Sequence, residues 1–281
     1  MPATTFPLRL LSPLRRATTP LLLSLVCTVL PQGAALAQVD VGNASLMRRL
    51  VPAELLENSS AEEYQKLLQQ AKAQGALAGS DNAQLQRLRS IAQRIIPYTP
   101  QWNSRASQWR WEVNLIGSKQ INAFCMPGGK IAFFTAIIDQ LKLTDDEIAM
   151  IMGHEMAHAL REHSREQLAK NQATSIGISL GAQLLGLGDI SSAAARFGGQ
   201  LLSLKFSRND ESDADLVGLE LAARAGYNPQ AAVSLWRKMG EATGEGGIGF
   251  LSTHPTGPDR IRQLESNVPR VISLYEQARR R

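Results

Sequence analysis

The chain has 281 residues, 44% hydrophobic and 20% charged, a balance that excludes a disordered or fibrous chain and supplies one sizeable core. Its formal charge of +5 does not indicate a nucleic-acid binder, because Arg9, Arg15 and Arg16 lie in the first 37 residues; without them 27 of the 30 basic residues remain, against 25 acidic ones. Of the two cysteines only Cys125 lies beyond residue 37, which leaves that part of the chain no internal disulfide.

Residues 1–37 have the three parts of a secretory signal. Three arginines precede the apolar run PLLLSLVCTVL, and Ala35, Leu36 and Ala37 form a small-x-small cleavage pattern, which predicts export to the periplasm with cleavage before Gln38. The run is shorter than the about 20 residues of a membrane span. Leu25 and Val26 ahead of Cys27 are larger than a lipidation signal needs, which argues against a lipid anchor.

Residues 38–58 lack periodicity and read as a linker with one short helical piece. Ser60 and Glu63 then make a capping box ahead of Tyr64, Leu67, Leu68 and Ala71 at helical spacing, and a second helix runs through Leu85, Leu88, Ala92 and Ile95 until Pro97 stops it. Residues 38–100 are thus expected to be an N-terminal linker and helical segment bracing a catalytic domain over 101–281. From Trp109, the stretch WRWEVNLI alternates bulky and polar residues as a half-buried strand does. INAF and KIAFF follow across the turn CMPGGK, so a small antiparallel sheet of about three strands is expected.

Thr144 and Glu147 form another capping box, with Asp145 and Asp146 where the helix dipole favours acids. Residues 173–204 are small and apolar. Gln183, Asp189 and Arg196 interrupt them, so they predict a packed helix pair rather than a membrane hairpin, with interfacial association as the alternative. A helix from Asn209 ends at Gly226, and Pro229 opens another through Trp236 and Met239. The fold class is α+β and mainly helical.

The helix opened by Thr144 carries GHEMAH, in which His154 and His158 lie four apart and share a face, so both can reach one Zn²⁺. Glu155 sits beside that position without ligating, where a carboxylate can take a proton from an attacking water. A catalytic zinc takes a third protein ligand. His163 is five on from His158 and turned off the face, and position 164 is Ser, which excludes a metzincin arrangement. Glu211 and Asp215 supply the alternative: Glu211 ligates from a second helix, while Asp215 fixes the far nitrogen of a ligand histidine, and Asp213 points elsewhere.

MGHEMAH, ESDAD followed by GYNP, and STHPTGPDRI, in that order over roughly residues 85–268, resemble metallopeptidase family forty-eight, the gluzincin endopeptidases of the HtpX, Oma and CAAX prenyl endopeptidase type. The likeness is nearest to the short exported LoiP- and BepA-like members. NAFCMPGGKIAFFTAII resembles the family's edge-strand segment. The resemblance implies a zincin core holding one zinc ion per chain, with His154, His158 and Glu211 as metal ligands, Glu155 as general base and Asp215 behind a ligand histidine.

On this reading a substrate lies extended along Lys130–Phe134. His254, in the turn-rich STHPTGPDRI, either donates to the oxyanion or fills the open zinc position and keeps the enzyme latent, and Arg260 anchors that loop or contacts substrate. The expected function is a zinc-dependent metalloendopeptidase acting on unfolded or misassembled envelope proteins, with peripheral outer-membrane or assembly-machinery association and no nucleic acid. The alternative is a periplasmic chaperone or assembly factor with a latent zinc site, whose apolar 173–204 segment binds clients.

Overall fold

A computed structural model of the chain describes, besides Met1, residues 39–179, 204–242, 249–254 and 258–280. The leader and most of the 173–204 segment lie outside the described residues. Backbone contacts group Leu36–Arg281 into one unit and Met1–Ala35 into another, and the helices and strands of the described residues belong to the former.

Helix α1 (Ala53–Ala73) begins directly after Pro52, two turns ahead of the expected start. Ser60 is therefore mid-helix and fully buried, its hydroxyl without a hydrogen-bond partner, and it caps nothing. The earlier start is fixed by tertiary burial: Val51 and Leu56 pack with Leu168 and Ala169, which no local pattern in 38–58 signals. Tyr64, Leu68 and Ala71 are buried on the face their spacing foretold. Helix α2 (Ala83–Ile95) is capped by Asn82, whose side chain accepts from the Leu85 N–H, and it runs into a 3-10 turn (Ile96–Gln101) at Pro97.

Strands β1 (Glu112–Ile116), β2 (Ala123–Met126) and β3 (Lys130–Phe134) form a sheet in the order β1-β3-β2. The sheet is mixed rather than antiparallel. β2 and β3 are an antiparallel hairpin with Cys125 opposite Ile131, whereas β1 runs parallel to β3 with Val113 opposite Ile131. Gly128 and Gly129, at φ +81° and +78°, make the hairpin turn, and a Cβ on Gly129 would stand 2.7 Å from the Trp111 ring. The tight hairpin places β3 between its two neighbours. Nor is β1 half-buried: Val113 and Leu115 face the main core, Ile116 faces the α1 cluster, and Asn114 donates to the Tyr64 hydroxyl at 3.1 Å.

Helix α3 (Thr135–Leu141) leads to α4 (Asp145–Leu160), whose capping box forms in both directions between Thr144 and Glu147. From Glu147 to Leu160 every residue of α4 is buried, so α4 is the central helix. Around it lie α5 (His163–Ser179), α6 (Arg208–Arg224), α7 (Ala231–Glu241), the short α8 (Gly249–Thr253) and α9 (Pro258–Arg279). The α4–α6 crossing is backbone against backbone. A Cβ on Gly153 would stand 2.6 Å from the Gly218 carbonyl oxygen, and one on Gly218 would stand 2.6 Å from the His154 nitrogen. Among the described residues no helix is long and apolar enough to cross a membrane.

Candidate metal centre

The glycine crossing sets the distance from which α4 and α6 can present side chains to each other. On α4, His154 and His158 share a face one turn apart; on α6, Glu211 and Asp215 do the same, with Glu211 in the first turn behind a Ser207–Asp210 capping box. His154 Nε2 and His158 Nε2 meet at 3.1 Å. Glu211 Oε1 lies 3.5 Å from His158 Nε2, and Glu211 Oε2 lies 3.5 Å from His154 Nε2.

His254 completes the group. It follows α8 directly, with its N–H donated to the Phe250 carbonyl at 2.8 Å and its ring stacked on Phe250. Its Nδ1 lies 3.0 Å from Glu211 Oε1 and 3.3 Å from His154 Nε2. One ligating atom from each of His154, His158, Glu211 and His254 falls within 4.8 Å of the others, and all four residues are buried.

The atoms behind these ligands are as ordered as the ligands themselves. His154 gives its Nδ1–H to Asp215 at 3.0 Å, which leaves Nε2 with a bare lone pair aimed at the centre. Arg260 is not a loop residue: it lies on α9, buried, donating to Asp215 at 2.7 and 2.8 Å and reaching Glu211 Oε2 at 2.7 Å. Its guanidinium stacks over Trp236 at 3.8 Å. In this position Arg260 neutralises two buried acids. Asp213 faces away from the centre, as expected, and pairs with Arg161 and His163. His163 is outside the four-residue group, yet its Nδ1 touches His158 Nδ1 at 3.0 Å.

Charge follows from this packing. Burial pushes the Glu155 carboxyl up, against the pull of His254 and His154. It also holds His158 far below the usual imidazole range, reinforced by the neighbouring histidines, and so keeps it in the neutral form that can ligate. Burial would raise Asp215, but Arg260 and the His154 hydrogen bond overcome it and hold the carboxyl down at about 2. Burial would lower His254, but the carboxylates of Glu155 and Glu211 raise it.

A divalent cation fits these residues. Imidazole nitrogens converge with a carboxylate, the His154 nitrogen among them has no proton to offer, and Glu155 Oε1 beside them is buried without a hydrogen bond, 3.5 Å from His254 Nε2. Two histidines and a glutamate, with an adjacent carboxylate that does not ligate, are a donor set suited to zinc.

The strand beside the centre is β2, not β3. As the middle strand β3 has both edges paired, so Lys130–Phe134 offers nothing for a peptide to pair with. The cleft against Glu155, His158 and His254 is lined instead by Asn122–Pro127 and roofed by Phe206, whose ring lies 4.0 Å from that of His158. That cleft encloses about 30 Å³, room for water rather than for a peptide.

The sequence model of peptidase family M48 matches residues 82–268, more than half of the chain. The chain belongs to peptidase family M48. The relatives it matches are named as metalloproteases, the class that the centre suits. It is 39% identical over 169 residues to the mitochondrial metalloendopeptidase OMA1 of Schizosaccharomyces pombe, covering 59% of this chain and 49% of that protein. It is 26% identical over 172 residues to the beta-barrel assembly-enhancing protease of Yersinia pestis, covering 57% and 35%. The metalloprotease LoiP of Escherichia coli is 24% identical over 153 residues, covering 54% and 60%. The chain spans between 34% and 52% of the length of the first OMA1 proteins it matches.

Three features of the M48 centre are not legible in the sequence motifs: the Gly153–Gly218 contact, the Arg260 clamp and the His163 contact. A glycine directly before the histidine-glutamate motif, and a second three residues after Asp215, both inside helices that glycine weakens, are the signal that was there to find.

Proposed function

We propose that this chain is a zinc-dependent endopeptidase for unfolded or misassembled envelope proteins, and that His254 holds it latent. The observation that carries the reading is Glu155: a buried carboxylate, raised by burial, whose Oε1 has no hydrogen-bond partner, next to two imidazole nitrogens and a carboxylate that converge. His154, His158 and Glu211 are assigned to the metal, Asp215 to orienting His154, and Arg260 to holding Asp215 and Glu211. Zinc, when bound, supplies a Lewis acid that acidifies water and polarises a carbonyl. Glu155 takes the proton from the attacking water and passes it to the leaving amine, for which a raised pKa suits it. The outer edge of β2 is assigned to the extended substrate, whose backbone pairing is tolerant of sequence and so suits unfolded clients.

Of the two roles open to His254, its position supports the plug. Its Nδ1 lies among the other ligand atoms, where a fourth protein ligand leaves no open position for chemistry, and the cleft alongside is closed to a peptide. Export to the periplasm is argued from the leader alone. Association with an outer-membrane assembly machinery is suggested by the name of the beta-barrel assembly-enhancing relative.

The test is cleavage of unfolded casein by the purified chain with and without chelator. Glu155→Gln should retain metal and lose at least 10³-fold of the rate, an order of magnitude typical of a lost general base. His254→Ala should raise activity. Casein cleavage that survives both the chelator and Glu155→Gln would sink the assignment, and a fall in activity on His254→Ala would return that residue to an oxyanion role.

A further inference from the structure

A linker buries nothing, yet the stretch ahead of α1 is fastened into the core at both ends. Upstream, Val39 is 3% exposed within the main core, and its N–H donates to Glu220 Oε2 at 2.7 Å. Glu220, on α6, is itself fully buried and paired with Arg224 at 2.7 Å. A buried carboxylate that loses such a donor is left short of a partner, so the backbone of residue 39 belongs to the body. Downstream, Val51 is 2% exposed and packs with Leu56, Leu168 and Ala169.

Between these ends the chain lies as a strap over the surface. From Asp40 to Leu50 no residue is buried, and residues 40–45 form one wall of a polar cleft of about 430 Å³. The strap is held along its length by one short stretch of the body, residues 161–165. Arg161 donates to the Gly42 carbonyl at 2.6 Å. Arg48, in the 3-10 turn Leu46–Leu50, pairs with Glu162 at 3.3 Å, and Arg165 Nε donates to the Val51 carbonyl at 2.5 Å.

That stretch is the break between α4 and α5. Glu162 stands there at a φ of 61°, a left-handed conformation that is unfavourable for a residue with a Cβ and persists only where the surroundings impose it. Two arginines hold its carboxylate, Arg165 from within α5 at 2.7 Å and Arg48 from the strap. Glu162 comes four residues after His158, so whatever fixes the break also fixes the last turn of the helix that presents this histidine.

We propose that Val39–Val51 is a clamp on the α4–α5 break: docked at Glu220, it imposes the left-handed turn at Glu162 and steadies the His158 end of the centre, and released at Val39 it frees both. Release from that end is the easiest opening of the molecule, because one buried side chain and its N–H anchor it, far less than is lost on unfolding the body. The clamp itself does not depend on the chemistry of the centre; its effect on metal retention rests on the reading of His158 as a ligand.

Amide hydrogen exchange of the full, metal-free chain tests the clamp. The N–H groups of Arg161, Glu162 and Glu166 report on the break, being bonded to the Ala157, Ala159 and Glu162 carbonyls at 2.8, 3.2 and 3.0 Å. Val39→Asp sets a second carboxylate beside Glu220 and should undock the strap. The three reporters and the amides of residues 40–51 should then exchange at least about tenfold faster, with β3 at wild-type rates. Zinc loaded on the same variant should pass to a chromophoric chelator at least about threefold faster. Reporters within about twofold of wild type beside a freed strap overturn the clamp, and unchanged zinc release overturns its link to the centre. Should β3 quicken too, or the strap stay docked, the double variant Arg48→Gln with Arg165→Gln decides, since it cuts the grip on Glu162 and leaves Val39 and Val51 in the core. Reporters within about twofold of wild type in that variant overturn the clamp. A wild-type chain that takes up no zinc overturns the proposed function instead, and the exchange rates still decide the clamp.

Discussion

The two sides of the centre meet one requirement in two ways. On the His154 side the carboxylate is in direct contact, Asp215 is 3% exposed at its side chain, and its arginine is sealed at 8% under the Trp236 ring. On the His158 side a second imidazole intervenes, and the carboxylate and its arginine, Asp213 and Arg161, are 17% and 11% exposed. These two line a polar cleft of about 430 Å³ walled by residues 40–45. A charge pair away from water gains more from its partner and loses more when the partner goes, while a wetter pair has solvent to fall back on. The His154 side is therefore the rigid reference of the centre and the His158 side its forgiving half. Changes made on one side can be set against their counterparts on the other.

The largest effect is expected from Arg260→Met. It removes the cation from two carboxylates that are 1% and 3% exposed at their side chains, Glu211 and Asp215, and strands buried negative charge. Breaking a buried pair by removing one partner costs about 3–5 kcal/mol, enough to unfold a marginal domain. Denaturant unfolding of the metal-free chain measures it. Bound zinc should restore part of the loss, since the cation replaces some of the missing positive charge. A loss below about 1 kcal/mol would show that water already reaches this side and would erase the contrast.

Acid separates the two sides next. Asp215 is held at about 2 in the folded chain, against about 3.9 for an unfolded aspartate. A depressed carboxyl gives stability that is complete above the unfolded value and lost as the pH falls through the folded one, so its window runs from about pH 4 down to about pH 2. Across that window Asp215 should account for about 2–3 kcal/mol. Asp213 is shifted the same way and is more exposed, so it should contribute less. Unfolding curves between pH 6 and pH 2 for Asp215→Asn and Asp213→Asn check this, with the flatter acid slope expected in the first.

How far each half could be read in advance follows the distance over which its contacts act. His154, Glu155 and His158 lie within five residues and Thr144 pairs with Glu147 three on, so helical periodicity alone put them in place. Glu211 and Asp215 were legible for the same reason, since a four-residue spacing carries its own geometry. The parallel pairing of β1 with β3 was not, because alternation tells which face of a strand is buried but not which strand lies beside it. Arg260 reaches Asp215 across 45 positions and Arg161 reaches Asp213 across 52, and nothing in either local pattern announces the partner. His163 misled for a more particular reason. Helical geometry carried past Leu160 turns it away from His158, and only the left-handed break at Glu162 brings it back.

The smallest effect should come from Arg161→Met, the counterpart of the Arg260 change on the forgiving side. The Arg161–Asp213 pair is partly exposed, and pairs of that kind contribute about 1 kcal/mol or less. Asp213 keeps its contact with His163, and zinc affinity should move by less than about threefold, below the range for removing a partner directly behind a ligand. Arg161 also donates to the Gly42 carbonyl at 2.6 Å, so the segment from Asp40 to Ser45 should loosen, which amide hydrogen exchange reads separately from global unfolding. If Arg161→Met costs as much stability as Arg260→Met, the two arginines are equivalent and solvent access does not distinguish the sides. If stability is spared but zinc binding falls tenfold or more, Asp213 needs Arg161 as strictly as Asp215 needs Arg260, and the intervening imidazole gives the centre no slack.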